Sequence, residues 1–324
     1  VTVARQLWKV YGHALPSAVY SPAVALMGRR YLDDVAGDSG ALSDVERIVA
    51  PYREGREPSL PEKPSPSHFS GHLVFGELAL RTKNPESSRL IPTYVDFTLE
   101  SDGTPKEAMP FHNEMSDGVF MGGPILALAG RLTGEKKYWD ASWKNQQYFA
   151  RIVRRPDGLY RHSPLDDAAW GRGNAFPALR LALTLEWLWT DHAGYKPILE
   201  AFRSHMSVLK RYQDRTGAWH QVVDHPESYR ELSATAMVTF SLVRGMRRGW
   251  LKASDYGRTA EHGWYAVKSR VREDGHLIDV CTSTGKQKSL RDYLDRIALL
   301  GVDPRGGAMT LLVATEVARW QSKR

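Results

Sequence analysis

The sequence predicts an all-α protein, and within that class an (α/α)6 barrel. Three observations lead to this prediction: a loop that recurs at nearly constant spacing, helical periodicity over most of the chain, and helices that are apolar on every side. The recurring loop centres on a glycine that follows a polar residue, and each copy separates two helical segments. A fixed period of this length is typical of one helical unit that is repeated.

The four recurring loops are nearly evenly spaced. Their central pairs are Asp102-Gly103, Asp157-Gly158, Thr216-Gly217 and Asp274-Gly275, and the glycines lie 55, 59 and 58 residues apart. Glycine adopts the left-handed backbone conformation without steric cost, so each pair predicts a tight turn. Aromatic and histidine residues follow these turns, among them His162, Trp219 and His220. We expect these side chains to lie at one end of the fold.

Apolar residues recur at helical spacing between the loops. The predicted helices, in chain order, are residues 2–11, 21–31, 44–52, 67–81, 87–99, 118–132, 136–153, 174–189, 196–213, 232–250, 254–270 and 306–320. Two stretches, 118–129 and 234–240, consist of small and apolar residues on all sides. This composition favours a closed ring with buried inner helices over an open solenoid. The prolines between Pro51 and Pro66 predict a long surface crossing.

No linker composition interrupts the repeat, so residues 1–324 are predicted to form a single domain. The net charge of +7 favours an anionic partner. Charge alone leaves nucleic acid and an acidic sugar as candidates. The basic residues are scattered without a long basic run. Together with the motifs described below, this pattern favours an acidic oligosaccharide and no nucleic acid as the partner.

The chain has a single cysteine, Cys281, which excludes an intramolecular disulfide bond and a cysteine-rich metal site. No apolar run approaches the ~18 residues of a membrane span, so no membrane partner is expected. The chain has no signal peptide and begins at Val1 rather than methionine. These features leave a cytoplasmic and a periplasmic location open.

The segment Trp170-Gly-Arg-Gly-Asn-Ala-Phe176 follows one of the recurring loops and opens a helix. Glycines on both sides of Arg172 leave its guanidinium unshielded, and a guanidinium matches the two oxygens of a carboxylate. Trp170 and Phe176 offer flat faces to a sugar ring or to the arginine itself. We expect Arg172 to bind a ligand. The alternative is that it pairs with Asp166 or Asp167 and only braces the loop.

Asp117 stands directly before an apolar helix that contains Val119, Phe120 and Met121. One interpretation is an N-cap, because an aspartate at that position accepts backbone N–H groups. The other is an acid that points into a central cavity, since apolar surroundings raise the pKa of a carboxyl group and can produce a general acid near neutral pH. Both interpretations stay open on the sequence alone.

Three histidines, His162, His220 and His225, share the end of the fold that carries the recurring loops. A metal site needs convergent ligands with a recognisable spacing, and neither a His-Glu-x-x-His motif nor a cysteine pair is present. We therefore expect no metal, and we expect single histidines to donate hydrogen bonds to sugar hydroxyl groups.

Taken together, these motifs resemble the unsaturated glucuronyl and rhamnogalacturonyl hydrolases of glycoside hydrolase families 88 and 105. The resembling segments are Ser116-Asp-Gly-Val-Phe-Met121, Gly158-Leu-Tyr-Arg-His162, Trp170-Gly-Arg-Gly-Asn174, Trp219-His-Gln-Val-Val-Asp224, Ser228-Tyr-Arg-Glu-Leu-Ser-Ala-Thr-Ala-Met237 and Arg248-Gly-Trp250. The resemblance extends from about Ser67 to the C-terminus and also implies an (α/α)6 barrel.

The resemblance implies a substrate with a terminal uronic acid that carries a C4–C5 double bond, as polysaccharide lyases leave it. An aspartate protonates C4, water adds at C5, and the resulting hemiketal collapses to release the sugar, without a metal or an organic cofactor. By this resemblance Asp117 is the acid, and His162 and Arg172 contact the sugar and its carboxylate. The further residues expected to bind substrate are His112, Met121, Trp170, Asn174, Phe176, Trp219 and His220.

Two positions depart from the family pattern. Met115 stands where the family usually has an aromatic residue, two places before the acid. The family also has a second aspartate on an early inner helix, and this chain has none between Asp44 and Asp96. That helix carries His68 and His72 instead, and we expect one of these imidazoles to orient the attacking water.

The missing aspartate leaves two alternative functions open. A conventional glucuronidase needs two carboxylates at a defined separation, for which Glu114, Asp166 or Asp167 would have to accompany Asp117. A barrel that binds glycans without turnover is the other alternative.

Overall fold

The computed structural model describes residues 1–37 and 39–322. In chain order the helices are α1 (Thr2–Trp8), α2 (Tyr20–Ala36), α3 (Ser39–Arg53), α4 (Pro66–Gly71), α5 (Leu73–Thr82), α6 (Pro85–Val95), α7 (Asp117–Thr133), α8 (Lys136–Val153), α9 (Gly171–Trp187), α10 (Tyr195–Arg211), α11 (Leu232–Arg247), α12 (Ala253–Lys268), α13 (Leu290–Leu294) and α14 (Pro304–Gln321). The strands are β1 (Leu277–Cys281) and β2 (Ala298–Gly301).

The helices form a closed inner ring surrounded by outer helices. Helix α2 contacts α4 and α5, these contact α7, and the ring continues through α9, α11 and α14 back to α2. Helices α1, α3, α6, α8, α10 and α12 pack against the outside of this ring. Six inner positions and six outer helices confirm the predicted (α/α)6 barrel.

Burial at the centre of the ring explains the small, apolar sequence of the inner helices. Every residue from Gly118 to Gly130 in α7 is buried, and so is every residue from Leu232 to Met246 in α11. Helices of this kind contact neighbours on all sides, so no polar face survives in their sequence. Among the described residues, no helix combines the length and the apolar character that crossing a membrane requires.

The four recurring loops adopt the predicted turn. Gly103, Gly158, Gly217 and Gly275 have φ angles of 82°, 89°, 90° and 81°, a region that favours glycine. In each loop an aspartate carboxylate oxygen accepts the backbone N–H two residues later; the aspartates are Asp102, Asp157, Asp214 and Asp274. The third loop differs in register, because Thr216 directly precedes Gly217 and Asp214 lies three residues before this glycine, where it accepts the N–H groups of both Thr216 and Ala218.

The single helix predicted over residues 67–81 is wrong, because the structure divides it into α4 and α5 at His72. The end of α4 lies against the chain that leads into α2. A Cβ atom added to Gly71 would lie 1.9 Å from the Ala18 carbonyl oxygen. This close backbone approach is a tertiary contact, and helical periodicity alone does not reveal it.

Residues 271–305 contain structure that the sequence did not predict. Strands β1 and β2 pair antiparallel, with Leu277 opposite Gly301 and Cys281 opposite Ala298, and the short helix α13 lies between them. These elements have four or five residues each, which is too short for a reliable periodic pattern. The segment folds over the end of the barrel where the recurring loops lie.

We expect two glycine-to-alanine changes in helices to have opposite effects on stability. Gly71→Ala inserts a Cβ atom 1.9 Å from a backbone oxygen, and such overpacking costs about 1–3 kcal/mol or more. Gly257→Ala in α12 meets no atom within 4 Å and should stabilise the protein by about 0.5–1 kcal/mol. Urea unfolding measures both; equal midpoints for the two variants would contradict the close approach at Ala18.

Candidate active site

The inner helices all begin at the same end of the barrel. Residues from the C-terminal halves of α2, α5, α7, α9, α11 and α14 line a single cavity at the other end. The unpaired N–H groups of a helix N-terminus carry a partial positive charge. The end where the six inner positions begin therefore favours bound anions, and both Asp117 and Arg172 lie in first helical turns there.

Asp117 is held by a hydrogen-bond chain that runs through two buried residues. The Nε2 atom of His162 lies 3.1 Å from Asp117 Oδ2, and His162 Nδ1 lies 2.9 Å from the Tyr293 hydroxyl oxygen. The side chain of His162 is fully buried, whereas that of Asp117 is 16% exposed. Asp117 is therefore the member of the chain that a ligand can reach. The N-cap of α7 is Ser116, so the N-cap interpretation of Asp117 is wrong.

One arrangement of protons satisfies every partner in this chain. The Tyr293 oxygen accepts the Gln287 backbone N–H at 3.3 Å, and its hydroxyl hydrogen is directed to His162 Nδ1 in this arrangement. Burial raises the pKa of Tyr293 to about 12, so this hydrogen is retained at neutral pH. His162 then carries its own hydrogen on Nε2 and donates it to Asp117 Oδ2. Asp117 Oδ1 is the oxygen that is left to carry a proton toward a ligand.

Arg172 combines a position beside the acid with a bracing role. Its guanidinium lies over the Trp170 ring at 4.7 Å and donates to the carbonyl oxygens of Cys281 and Thr282 at 2.5 and 2.6 Å. The residue is only 3% exposed, and the carboxylate of Glu231 lies 4.0 Å from it. Its bonds tie the start of α9 to the chain that follows β1.

The bracing partners predicted for Arg172 are wrong. Asp166 accepts the backbone N–H of Ala168 at 2.7 Å, and Asp167 pairs with Arg161 at 2.9 Å. Both carboxylates therefore stabilise their own loop. Arg172 is braced instead by carbonyl oxygens that are more than a hundred residues away in the chain.

Three aromatic rings pack together beside Asp117. Phe176 stacks on Phe120 with ring centres 5.4 Å apart, and Tyr20 contacts both rings edge-on at 5.8 and 6.2 Å. Burial raises the pKa of Tyr20 to about 12. Met121, on the next position of α7, accepts a hydrogen bond from Ser70 Oγ at 3.0 Å. Phe176 and Met121 thus lie at this end as expected, whereas Tyr20 was not predicted.

Two predicted substrate contacts are fully buried and have structural bonds. The Asn174 side chain accepts from the Tyr160 N–H and donates to the carbonyl oxygens of Tyr160 and Trp170. The Trp219 indole donates to the Leu209 carbonyl oxygen at 2.7 Å. Both residues are 0% exposed, so their hydrogen bonds hold the backbone of the recurring loops in place from inside the barrel.

Two predicted histidines are also bound to neighbouring residues. His220 Nδ1 lies 2.5 Å from the Ser228 carbonyl oxygen, and its Nε2 lies 3.6 Å from the Asp214 carboxylate. His112 packs edge-on against Phe149 and accepts the Glu114 backbone N–H at 3.2 Å. His112 is the more exposed of the two and lies on the loop that leads into Asp117.

His68 and His72 occupy the helix where the family's second aspartate was expected. His68 Nδ1 bonds Ser65 at the N-cap of α4, so the imidazole completes a capping box. His72 is fully buried against Tyr94, and burial lowers its pKa to about 3. His72 is therefore a neutral core residue and is in no position to orient a water molecule for Asp117.

Other carboxylates at this end of the barrel are already bonded. Glu231 caps α11 and also accepts the Cys281 N–H, while Asp303 caps α14 and pairs with Arg305. Glu114 lies 3.4 Å from the Lys286 ammonium. Within residues 1–37 and 39–322, no group of three or more His, Cys, Asp or Glu side chains is arranged to hold a metal ion.

Comparison with solved structures supports the fold. A family 105 glycoside hydrolase of C. acetobutylicum ATCC 824 superposes with a TM-score of 0.82 at 18% identity, over 98% of this chain and 99% of that chain. The unsaturated glucuronyl hydrolase of Bacillus sp. GL1 superposes with a TM-score of 0.65 at 16% identity, over 96% and 93% of the two chains.

Sequence relatives point to the same group of proteins. The unsaturated rhamnogalacturonyl hydrolase YesR of Bacillus subtilis is 28% identical over 186 residues, which cover 55% of this chain and 52% of YesR. An unsaturated 3S-rhamnoglycuronyl hydrolase of Formosa agariphila is 28% identical over 227 residues, covering 62% and 60%. The chain thus spans about half the length of the curated relatives that it matches. Because the model of Glycosyl Hydrolase Family 88 matches residues 8–321, the chain belongs to this family.

Proposed function

We propose that this chain removes a terminal Δ4,5-unsaturated uronic acid from oligosaccharides that a polysaccharide lyase has produced. The proposed acid is Asp117, which protonates C4 of the enol ether. The linked sugar leaves after water has added at C5. The proposal agrees with the family and with the two sequence relatives, which are an unsaturated rhamnogalacturonyl hydrolase and an unsaturated 3S-rhamnoglycuronyl hydrolase.

One observation carries the proposal: Asp117 is a partly exposed carboxylate held through one oxygen by His162. The bond to Oδ2 fixes the rotation of the carboxyl group and leaves Oδ1 for the substrate. The neighbouring carboxylates of Glu231 and Asp303 are bound in helix caps. An acid whose neighbours Glu231 and Asp303 are bound in helix caps suits hydration of a double bond, whereas ordinary glycoside hydrolysis needs a second carboxylate about 5–9.5 Å away.

The proposed steps balance with one water molecule. Asp117 Oδ1 transfers its proton to C4, and the electron pair of the double bond forms the new C–H bond. The positive charge that develops at C5 is shared with the ring oxygen. Water adds to C5 and returns a proton to Asp117, and the hemiketal opens the ring. The hemiacetal that remains at C1 then expels the linked sugar as an alcohol.

Recognition of the substrate carboxylate is assigned to Arg172 and to the surrounding helix N-termini. A guanidinium can donate two parallel hydrogen bonds to a carboxylate, which an ammonium group cannot. The partial positive charges of the inner helix N-termini add a field of the same sign. The partly exposed ring of Tyr20 is proposed to contact the apolar face of the sugar ring, and Phe176, which is 1% exposed, packs against Tyr20 and supports it.

We expect the protein to bleach the ultraviolet absorbance of unsaturated disaccharides in digests of pectin, glycosaminoglycan or ulvan-like polymers. In heavy water, mass spectrometry and NMR should find deuterium at C4 of the product, because the solvent-exchanged acid supplies that hydrogen. Saturated p-nitrophenyl glucuronide should stay intact. Release of nitrophenol without loss of absorbance would favour the conventional glucuronidase, and calorimetric binding without turnover would favour the non-catalytic barrel.

Asp117→Asn should remove most of the turnover while the protein stays folded. The amide keeps the size of the side chain and still accepts the hydrogen bond from His162, but it has no proton to deliver. General acid catalysis of this kind contributes roughly 10²–10⁴-fold to the rate. The matched control is Asp167→Asn, which changes a carboxylate that is 78% exposed on a loop and should leave kcat unchanged. Comparable kcat values for the two variants would exclude Asp117 as the acid.

Arg172→Lys should raise KM for the unsaturated uronide about tenfold or more, since charge-assisted hydrogen bonds of this type contribute about 1.5–3 kcal/mol. It should also lower the melting temperature, because lysine cannot bond both carbonyl oxygens. Arg155→Lys is the control: Arg155 also braces a loop, through Asp224 and the Asp167 carbonyl oxygen. If both variants lose stability while KM stays constant in both, Arg172 has only the bracing role.

A further inference from the structure

A cavity of about 780 Å³ lies at the end of the barrel opposite Asp117, where the inner helices end. We call it the rear cavity. Its charged lining consists of six arginines, Arg30, Arg131, Arg244, Arg247, Arg248 and Arg319, and three carboxylates, Asp34, Glu77 and Glu186. Cavities of this size accommodate small ligands in other proteins. The proposed reaction does not use this end of the barrel, although Arg248 belongs to one of the segments that resemble the family.

The carboxylates of the rear cavity are shared among several arginines. The buried Glu316 pairs with Arg244, Arg247 and Arg319 at 2.7, 2.6 and 3.8 Å. Glu186 likewise pairs with two arginines, Arg244 and Arg248. Counting Glu316, four carboxylates face six guanidinium groups, which leaves an excess of two positive charges.

Arg131 differs from the other five arginines of the rear cavity, because its guanidinium is available to bind a ligand. It is exposed at the end of α7, and among residues 1–37 and 39–322 no side chain forms an ion pair with it. On the opposite wall, the guanidinium of Arg319 lies 4.0 Å from the centre of the Tyr31 ring. Burial lowers the pKa of Arg319, and the neighbouring Arg244 lowers it further. An added anion would therefore stabilise the charged form of Arg319. Although burial opposes their charge, Glu77 raises the pKa of Arg30 and Glu316 raises that of Arg244, so these two arginines are already compensated.

The arginines could also serve only to neutralise the six helix C-termini, which carry partial negative charge. Arginines in that role commonly donate to the carbonyl groups of the last turn. In this cavity the five paired arginines all donate to carboxylates; they are Arg30, Arg244, Arg247, Arg248 and Arg319. The guanidinium groups thus already bind oxyanions, and their oxyanion partners are fewer than the arginines.

We propose that the rear cavity binds a small dianionic oxyanion of the phosphate or sulfate class, either free phosphate or sulfate or a phosphate ester on a sugar. One dianion balances the excess of two positive charges. The forked donors of arginine match the tetrahedral oxygens of phosphate and sulfate. The site lies at the far ends of the same helices that carry Asp117 and Arg172, so it is separate from the proposed reaction.

The test is isothermal titration of the full chain with sodium phosphate and sodium sulfate, against sodium chloride at matched ionic strength. We expect saturable binding of both dianions and none of chloride. Arg131→Gln should raise Kd for phosphate about tenfold, the effect of losing one charge-assisted hydrogen bond. Arg258→Gln is the matched control, because Arg258 is an exposed helical arginine on α12 that does not line the rear cavity, and this variant should bind phosphate like the unchanged protein.

A titration with glucose 6-phosphate, which is also a dianion, distinguishes the sources of the anion. Binding of this ester at least as tight as that of inorganic phosphate identifies a sugar-linked group, and weaker binding of the ester identifies the free anion. Absence of saturable binding, or equal losses in Arg131→Gln and Arg258→Gln, would overturn the proposal and leave the arginines with a neutralising role only. Phosphate binding that survives Arg131→Gln but disappears in Arg172→Lys would also overturn it, because the anion would then lie at the Asp117 end.

Discussion

The inner helices run in parallel, so one end of this barrel carries partial positive charge and the other end carries partial negative charge. At one end, N–H groups of the first helical turns are unpaired and favour anions. At the other end, carbonyl groups collect and favour cations. The chain places Asp117 and the capping carboxylates at the first end and a group of arginines at the second. The direction of the helices thus favours acidic ligands at the first end and concentrates basic side chains at the second, where an anion would be bound by the arginines and not by the helix ends.

Helix capping also decides which carboxylate is free for chemistry. The carboxylate oxygens of Glu231 and Asp303 accept hydrogen bonds from the first N–H groups of α11 and α14. These two residues therefore have a structural role. Asp117 lies one position further into its helix, where Ser116 takes the N-cap position. Its carboxyl group bonds an imidazole instead of the backbone, and one of its oxygens stays available. A carboxylate at the N-cap position bonds the backbone, whereas Asp117, one residue further along the helix, keeps an oxygen available and is a candidate acid.

The irregular segment between α12 and α14 completes the candidate active site. It supplies Tyr293, which orients His162, and the carbonyl oxygens of Cys281 and Thr282, which hold Arg172. Repeated helical units alone would leave the imidazole and the guanidinium without these partners. The proposed acid and the proposed carboxylate-binding residue therefore both depend on residues between Cys281 and Tyr293, which extend the chain beyond the fourth recurring loop at Gly275.

The sequence alone determined the repeat, the closed ring, the glycine turns and the segments that contain Asp117, His162 and Arg172, because these features depend on local backbone preference and on helical periodicity. Only the tertiary structure decided which way each side chain points. It buried Asn174, Trp219 and His72, and it brought Tyr20 and Tyr293 to the site from distant segments. The physical reason is that burial and hydrogen-bond partners arise from packing between elements that are far apart in the chain, whereas a sequence motif records only its own neighbours.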